Sequence, residues 1–211
     1  MTATVALEGL DLAALLCSRV CHDLISPVGA VVNGMEVLEE TDDESTRVFA
    51  LDLIKKSASQ ASARLQFCRL AFGAAGSAGA EIDLGDAESV ARGFLEDDKT
   101  SLNWQLVRVL LPKNRVKLLL NMLVVATTTI PRGGAITAEP IGEAAAEGFR
   151  VSTMGTNARV PQAAPALLSA TTEGSVDAHG IQPFYTGLLA RACGLNVTIE
   201  AQGEAIVITA A

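Results

Sequence analysis

The sequence predicts a two-part protein: an N-terminal helical hairpin that pairs with a second copy into a dimeric four-helix bundle, followed by an α+β domain built as a two-layer sandwich. Three observations lead there. Two long segments carry apolar residues at every third or fourth position, a short polar turn joins them, and after a run of small residues the pattern changes to helical segments interleaved with extended ones. The expected boundaries are 1–76 for the hairpin and 80–211 for the second domain.

The first helix spans 7–40, with Leu12, Leu16, Val20, Leu24, Val28, Val31, Met35 and Leu38 on its apolar stripe. Thr41-Asp42-Asp43-Glu44 is the turn, with Thr41 or Asp42 as N-cap and acids at the start of the next helix. The second helix runs through Phe49 or Ala50, Leu53 or Ile54, Ala58, Ala61, Leu65, Cys68 and Phe72 and ends at the small-residue linker 73–79. At about 1.5 Å per residue each arm is roughly 45 Å long. Two such arms leave too much of their stripes exposed, and a second copy supplies the missing surface.

Beyond the linker, 81–84 is a short extended piece, 85–96 a helix, and 102–111 a strand stopped by Pro112. An apolar helix over 115–129 ends at Pro131-Arg132-Gly133-Gly134. Strands are expected near 135–138 and 148–153, helices over 161–170 and 183–193, and a terminal hairpin from 195–200 and 205–209 around Gln202-Gly203. Helices then cover one face of a mostly antiparallel sheet. No internal repeat is visible.

Composition narrows the function classes. The 211 residues carry 16 basic and 24 acidic side chains, a net charge of −8, which disfavours broad nucleic-acid binding. The most apolar stretch, 116–130, is about fifteen residues, short of the roughly 20 that span a bilayer, and holds Asn121 and three threonines. The N-terminus lacks a basic region and carries Glu8 and Asp11 ahead of its apolar run, unlike a secretory signal. No membrane association and a cytoplasmic location are expected. Cysteines at 17, 21, 68 and 193 include no C-x2-C pair, and no second His or Cys cluster completes a tetrahedral site around Cys17, Cys21 and His22. The expectation is no metal, with the cysteines acting as buried small apolar residues.

His22 is the informative residue. Val20 and Leu24 on the stripe lie about 200° away around the helix, so His22 points away from the core. Ser18, Arg19, Ser26, Gly29 and Asn33 share its face, all polar or small. An exposed neutral imidazole can accept a phosphoryl group on one nitrogen, while a carboxylate such as Asp23 takes a hydrogen bond from the other and stabilises the charge that develops. His179, in a loop before a helix, reads as an ordinary surface residue.

Cys21-His22-Asp23-Leu24-Ile25-Ser26-Pro27 resembles the H-box of dimeric histidine kinases, in which an acid and an aliphatic residue follow the phosphoacceptor His and a Pro lies further on. The run 18–38 is more closely similar to the histidine phosphotransferases of bacterial cell-cycle phosphorelays, a histidine-kinase-like family with a degenerate ATP-binding domain. The helix around Asn121 resembles the N-box helix of the kinase ATPase domain, but Val125 stands where that family has its Mg²⁺-ligating Asn, and offers no oxygen to a hard cation. Thr153 stands for the adenine-reading Asp of the next kinase box, and Asn157 for its second Gly. Gly180 and Gly187 alone remain of the Gly-rich lid, with Pro183, Phe184 and Tyr185 crowding the loop between them.

The resemblance implies a homodimeric histidine phosphotransferase. Its donor would be the receiver domain of a hybrid histidine kinase (CckA-like), and its acceptors response regulators (CtrA-like, CpdR-like), namely a master transcription factor and a proteolysis adaptor. His22 and Asp23 are the catalytic candidates; Arg19, Ser26, Gly29 and Asn33 are the docking candidates. No cofactor is expected on this chain and no ATP, with Mg²⁺ brought by the receiver. The alternatives are an ATP-dependent histidine kinase with a divergent pocket and a non-catalytic dimeric signalling scaffold.

Overall fold

The computed structural model describes residues 7–73, 80–169, 176–178 and 180–211. Two antiparallel helices come first, α1 (Gly9–Glu40) and α2 (Glu44–Ala71). The N-cap of α2 is Asp43, one or two residues later than expected: its carboxylate accepts from the Thr46 N–H at 2.8 Å and from the hydroxyls of Ser45 and Thr46. Arg47 closes the other side of the turn, donating to the Leu38 and Thr41 carbonyls at the end of α1. Buried Gly34 lets the helices approach; a Cβ there would lie 2.6 Å from the Ile54 side chain.

The apolar residues of α1 divide into two stripes, where the sequence pattern suggested one. Leu12, Leu16, Val20 and Leu38 are half-buried on the side of Pro27 and Gly34. Val28 and Met35, expected in that stripe, are half-exposed, and together with Leu10, Ile25 and Val32 they form a second row. Cys17 and Cys21, expected to be buried, are exposed on this second row. The 3.6-residue period cannot separate stripes whose edges lie this close around the helix.

The α/β part contains β1 (Glu81–Asp83), α3 (Leu84–Leu95), β2 (Thr100–Trp104), β3 (Leu110–Pro112), α4 (Lys113–Thr129), β4 (Gly134–Ile141), β5 (Gly148–Met154), α5 (Ala164–Leu168), α6 (Ile181–Ala192), β6 (Val197–Gln202) and β7 (Ala205–Ala210). The main sheet has the order β2-β4-β5-β7-β6; β2 lies parallel to β4 and the other pairs are antiparallel. The single strand expected over 102–111 is two. β2 joins the main sheet, whereas β3 pairs with β1 in a separate two-stranded ribbon, because the chain leaves the sheet after Gln105, whose N–H reaches the Ala138 carbonyl. The helix expected over 161–170 shortens to the five residues of α5, and α6 begins at Ile181, which places Pro183 in its first turn, where a missing N–H costs nothing.

One face of the sheet is buried, through Leu102, Ile136, Ala138, Phe149, Val151, Ile199, Ile206 and Ile208. The facing helix α4 is buried almost continuously from Val116 to Ala126. The hairpin is not a separate lobe. Phe67 of α2 stacks on Phe94 of α3 with ring centroids 4.1 Å apart, and Phe67 and Ala71 belong to the same core as α4 and the sheet. At the same end of the hairpin, Leu12, Leu15 and Leu16 of α1 pack against Leu167, Val176, Ile181 and Phe184. Both arms therefore rise from a base rooted in the sandwich.

Candidate functional site

His22 lies in the middle of α1 with its side chain 85% exposed, while the neighbouring Asp23 carboxylate is only 12% exposed. Asp23 turns inward because residue 23 falls on the α2-facing side of the helix. Arg19, one turn earlier, donates from Nε to Asp23 Oδ2 at 3.1 Å, and His22 Nδ1 lies 3.4 Å from Asp23 Oδ1. The carboxylate is thus fixed between a guanidinium and the imidazole, and the far edge of the ring is open. An imidazole held in this way by Nδ1 presents Nε2 as its nucleophilic atom.

The helix continues through this turn but lacks one backbone hydrogen bond there. Pro27 is buried and has no N–H for the Asp23 carbonyl. That carbonyl accepts instead from Arg64 Nη1 of α2 at 2.6 Å. Arg64 is a residue that sequence reasoning missed; the proline announced an orphaned carbonyl, but nothing in the pattern told which side chain would reach it.

Of the other expected site residues, Ser26 and Asn33 are exposed on the His22 side, and Gly29 is half-buried with open space where a Cβ would stand. Arg19, expected at the docking face, donates its Nε to Asp23 and also lines the recess beside His22. The α/β part also approaches this face: Ser18, Arg19, His22 and Ala178 line a recess of about 160 Å³. His179, next to Ala178, lies outside the described residues.

The expected remnants of a nucleotide site are occupied by packing. Asn121 is fully buried; its amide donates to the carbonyls of Ala71 and Lys117 and its oxygen accepts from Gln182 Nε2 at 2.7 Å. Val125 is core, and Thr153 shares a 2.7 Å hydroxyl contact with Thr129. Asn157 sits in a loop with φ of 60°. Pro183, Phe184 and Tyr185 are not a crowded loop, as expected, but the first turns of α6, with Phe184 buried and Tyr185 against Phe72. The Gly180 N–H is taken by the Asp177 carboxylate at 2.7 Å, and a Cβ on Gly187 would run into the backbone of Leu168. Burial pushes the Cys68 thiol up to about 11, with the Asp23 charge adding to the shift. Among the described residues there is no group of three or more His, Cys, Asp and Glu placed to hold a metal ion.

Comparison with known proteins fixes the class. The family description "Histidine phosphotransferase C-terminal domain" matches residues 84–205, more than half of the chain. The chain is 50% identical to the protein phosphotransferase ChpT of Brucella abortus (strain 2308) over 211 residues, 100% of both sequences. It also superimposes on a solved bacterial phosphotransferase with a TM-score of 0.87 and 47% identity, covering 99% of each chain. A helical region followed by an α/β domain with a mixed sheet, matched in this way along its whole length, is a protein phosphotransferase. The chain belongs to the histidine phosphotransferase family.

Proposed function

We propose that His22 is the phosphoacceptor of a phosphorelay, receiving from the phospho-aspartyl receiver domain of a hybrid histidine kinase and passing the group to the Asp of response regulators. The observation that carries this is the Arg19–Asp23–His22 turn: an exposed imidazole whose Nδ1 faces a fixed, nearly buried carboxylate. In the forward step His22 Nε2 attacks phosphorus, the N–P bond forms, and the bond from phosphorus to the aspartyl oxygen breaks, leaving the donor as a carboxylate. The proton stays on Nδ1, where Asp23 stabilises the positive ring. Transfer to the second receiver reverses these events. Phosphoryl transfer of this kind depends on positioning and charge neutralisation, and in this reading the receiver's acidic pocket brings the Mg²⁺.

The proposal includes transfer without ATP, supported by the burial of Asn121, Val125 and Thr153 and by Asp177 occupying the Gly180 N–H. It also includes a homodimer. Leu10, Ile25, Val28, Val32 and Met35 on α1, and Val48, Phe49, Leu51 and Leu65 on α2, are large apolar side chains between 43% and 85% exposed. α1 is long and apolar enough by composition to cross a membrane, but Arg19, His22 and Asp23 at its centre make lipid a costly neighbour. A second hairpin covers the row and leaves His22 outside the seam. With such partners the protein acts in the cytoplasm. The experiment is transfer from a receiver domain charged with acetyl phosphate to wild type and His22→Ala. We expect loss of transfer in the variant; equal relay by both, or labelling of His22 by micromolar Mg-ATP, contradicts the proposal.

A further inference from the structure

We propose that Arg64 is a positioning residue for phosphoryl transfer: from α2 it supplies the hydrogen bond that Pro27 denies the Asp23 carbonyl, and so holds the Asp23–His22 turn in its reactive geometry. In an uninterrupted helix the carbonyl of residue 23 accepts from the N–H of residue 27. Proline has none, and its ring crowds the same carbonyl. The break in the α1 ladder therefore falls on the backbone of the residue whose carboxylate faces His22 Nδ1. Arg64 Nη1 meets that carbonyl at 2.6 Å from 41 positions away in sequence, in a half-buried setting. A charge-assisted bond of this kind is stronger than the amide bond it replaces. It also ties the phosphoacceptor turn to the second arm of the hairpin, which the Arg19 contact, made within α1, does not do.

Arg64 touches neither the imidazole nor the transferred group. Its effect runs through Asp23, which sets the orientation of the ring and the tautomer with Nε2 free. The inference rests on His22 being the acceptor, and the test separates the two. Arg64→Met keeps the aliphatic stem and removes the donor; Pro27→Ala restores the N–H that makes the donor unnecessary. The two form a double-mutant cycle, read as the rate of His22 phosphorylation with two donors, potassium phosphoramidate and a receiver domain charged with acetyl phosphate, the labelled residue being mapped by mass spectrometry. Circular dichroism checks that each variant is folded, and ¹⁵N chemical shifts of His22 report the tautomer directly.

We expect Arg64→Met to slow labelling of His22 about tenfold with both donors when Pro27 is present, and by less than about twofold when combined with Pro27→Ala. The ¹⁵N shifts should move toward a tautomer mixture in Arg64→Met alone. An equal loss in both backgrounds, unchanged His22 shifts, or a loss confined to the receiver donor overturns the inference, the last by assigning Arg64 to docking. Wild-type label on a residue other than His22 overturns the reading of the site itself, whatever Arg64 does.

Discussion

Along the hairpin, Ile25 and Phe49 stand 71% and 69% exposed while the Asp23 carboxylate is nearly buried and held by Arg19; in the sandwich, Asn121, Thr129 and Thr153 are buried completely and hydrogen-bonded to backbone or to one another. These three polar groups of the sandwich are consumed by its own packing. Arg19 and Asp23 of the hairpin instead serve a residue that faces outward. An uncovered apolar row and an uncovered imidazole lie on the same helix, and in the proposed reading other molecules cover both, whereas the sandwich buries a core of its own and acts as the base that fixes the arms.

This contrast can be broken from either side. The largest effect is expected from the apolar row: Ile25→Glu with Val32→Glu places two charges in the proposed seam, and sedimentation should show monomers at micromolar concentration where wild type is dimeric, with helical content retained. A monomeric wild type would remove the bundle. Next is Phe67→Ala, which empties a fully buried ring site shared by both regions. Chemical denaturation should show a loss of about 3 to 5 kcal/mol in one transition; two separate transitions would make the hairpin an independent unit. Asn121→Ala leaves the Ala71 carbonyl and Gln182 without their partner and should cost about 2 kcal/mol, with the rate of His22 labelling per folded molecule unchanged. A strong rate effect would return Asn121 to the chemistry.

The smallest effect is at the turn. Ser45 and then Thr46 hold the Asp43 carboxyl at about 2, below its ordinary value of 3.8. A carboxyl lowered on folding contributes stability above the ordinary value and loses it as pH falls through the lowered one. The difference in melting temperature between wild type and Asp43→Asn should therefore be constant above about pH 4 and vanish near pH 2. A difference that persists in acid would remove the charge from the cap.

The parts of this arrangement that repeat along the chain were legible. The hairpin follows from two periodic segments, and the outward position of His22 from its angle to Val20 and Leu24. Two strands of the sheet, β4 and β5, follow from alternation over 135–138 and 148–153. What was not legible depends on contacts between distant segments. Two adjacent stripes on α1 merged into one because hydrophobicity does not tell which partner a residue faces. The chain over 102–111 reads as one strand because its exit from the sheet is set by where β1 lies. Pro27 marked a broken hydrogen bond, yet Arg64 became visible only when α2 was placed beside it. Arg19 carried the right charge for docking, and its bond to Asp23 needed coordinates.

The most direct test maps where the phosphoryl group goes when a receiver domain charged with acetyl phosphate is mixed with the full-length protein in the absence of nucleotide. A single acid-labile, base-stable phosphoramidate on His22, which a second receiver then discharges, is the expected result. Label on any other residue, or label on His22 that requires ATP, would contradict it.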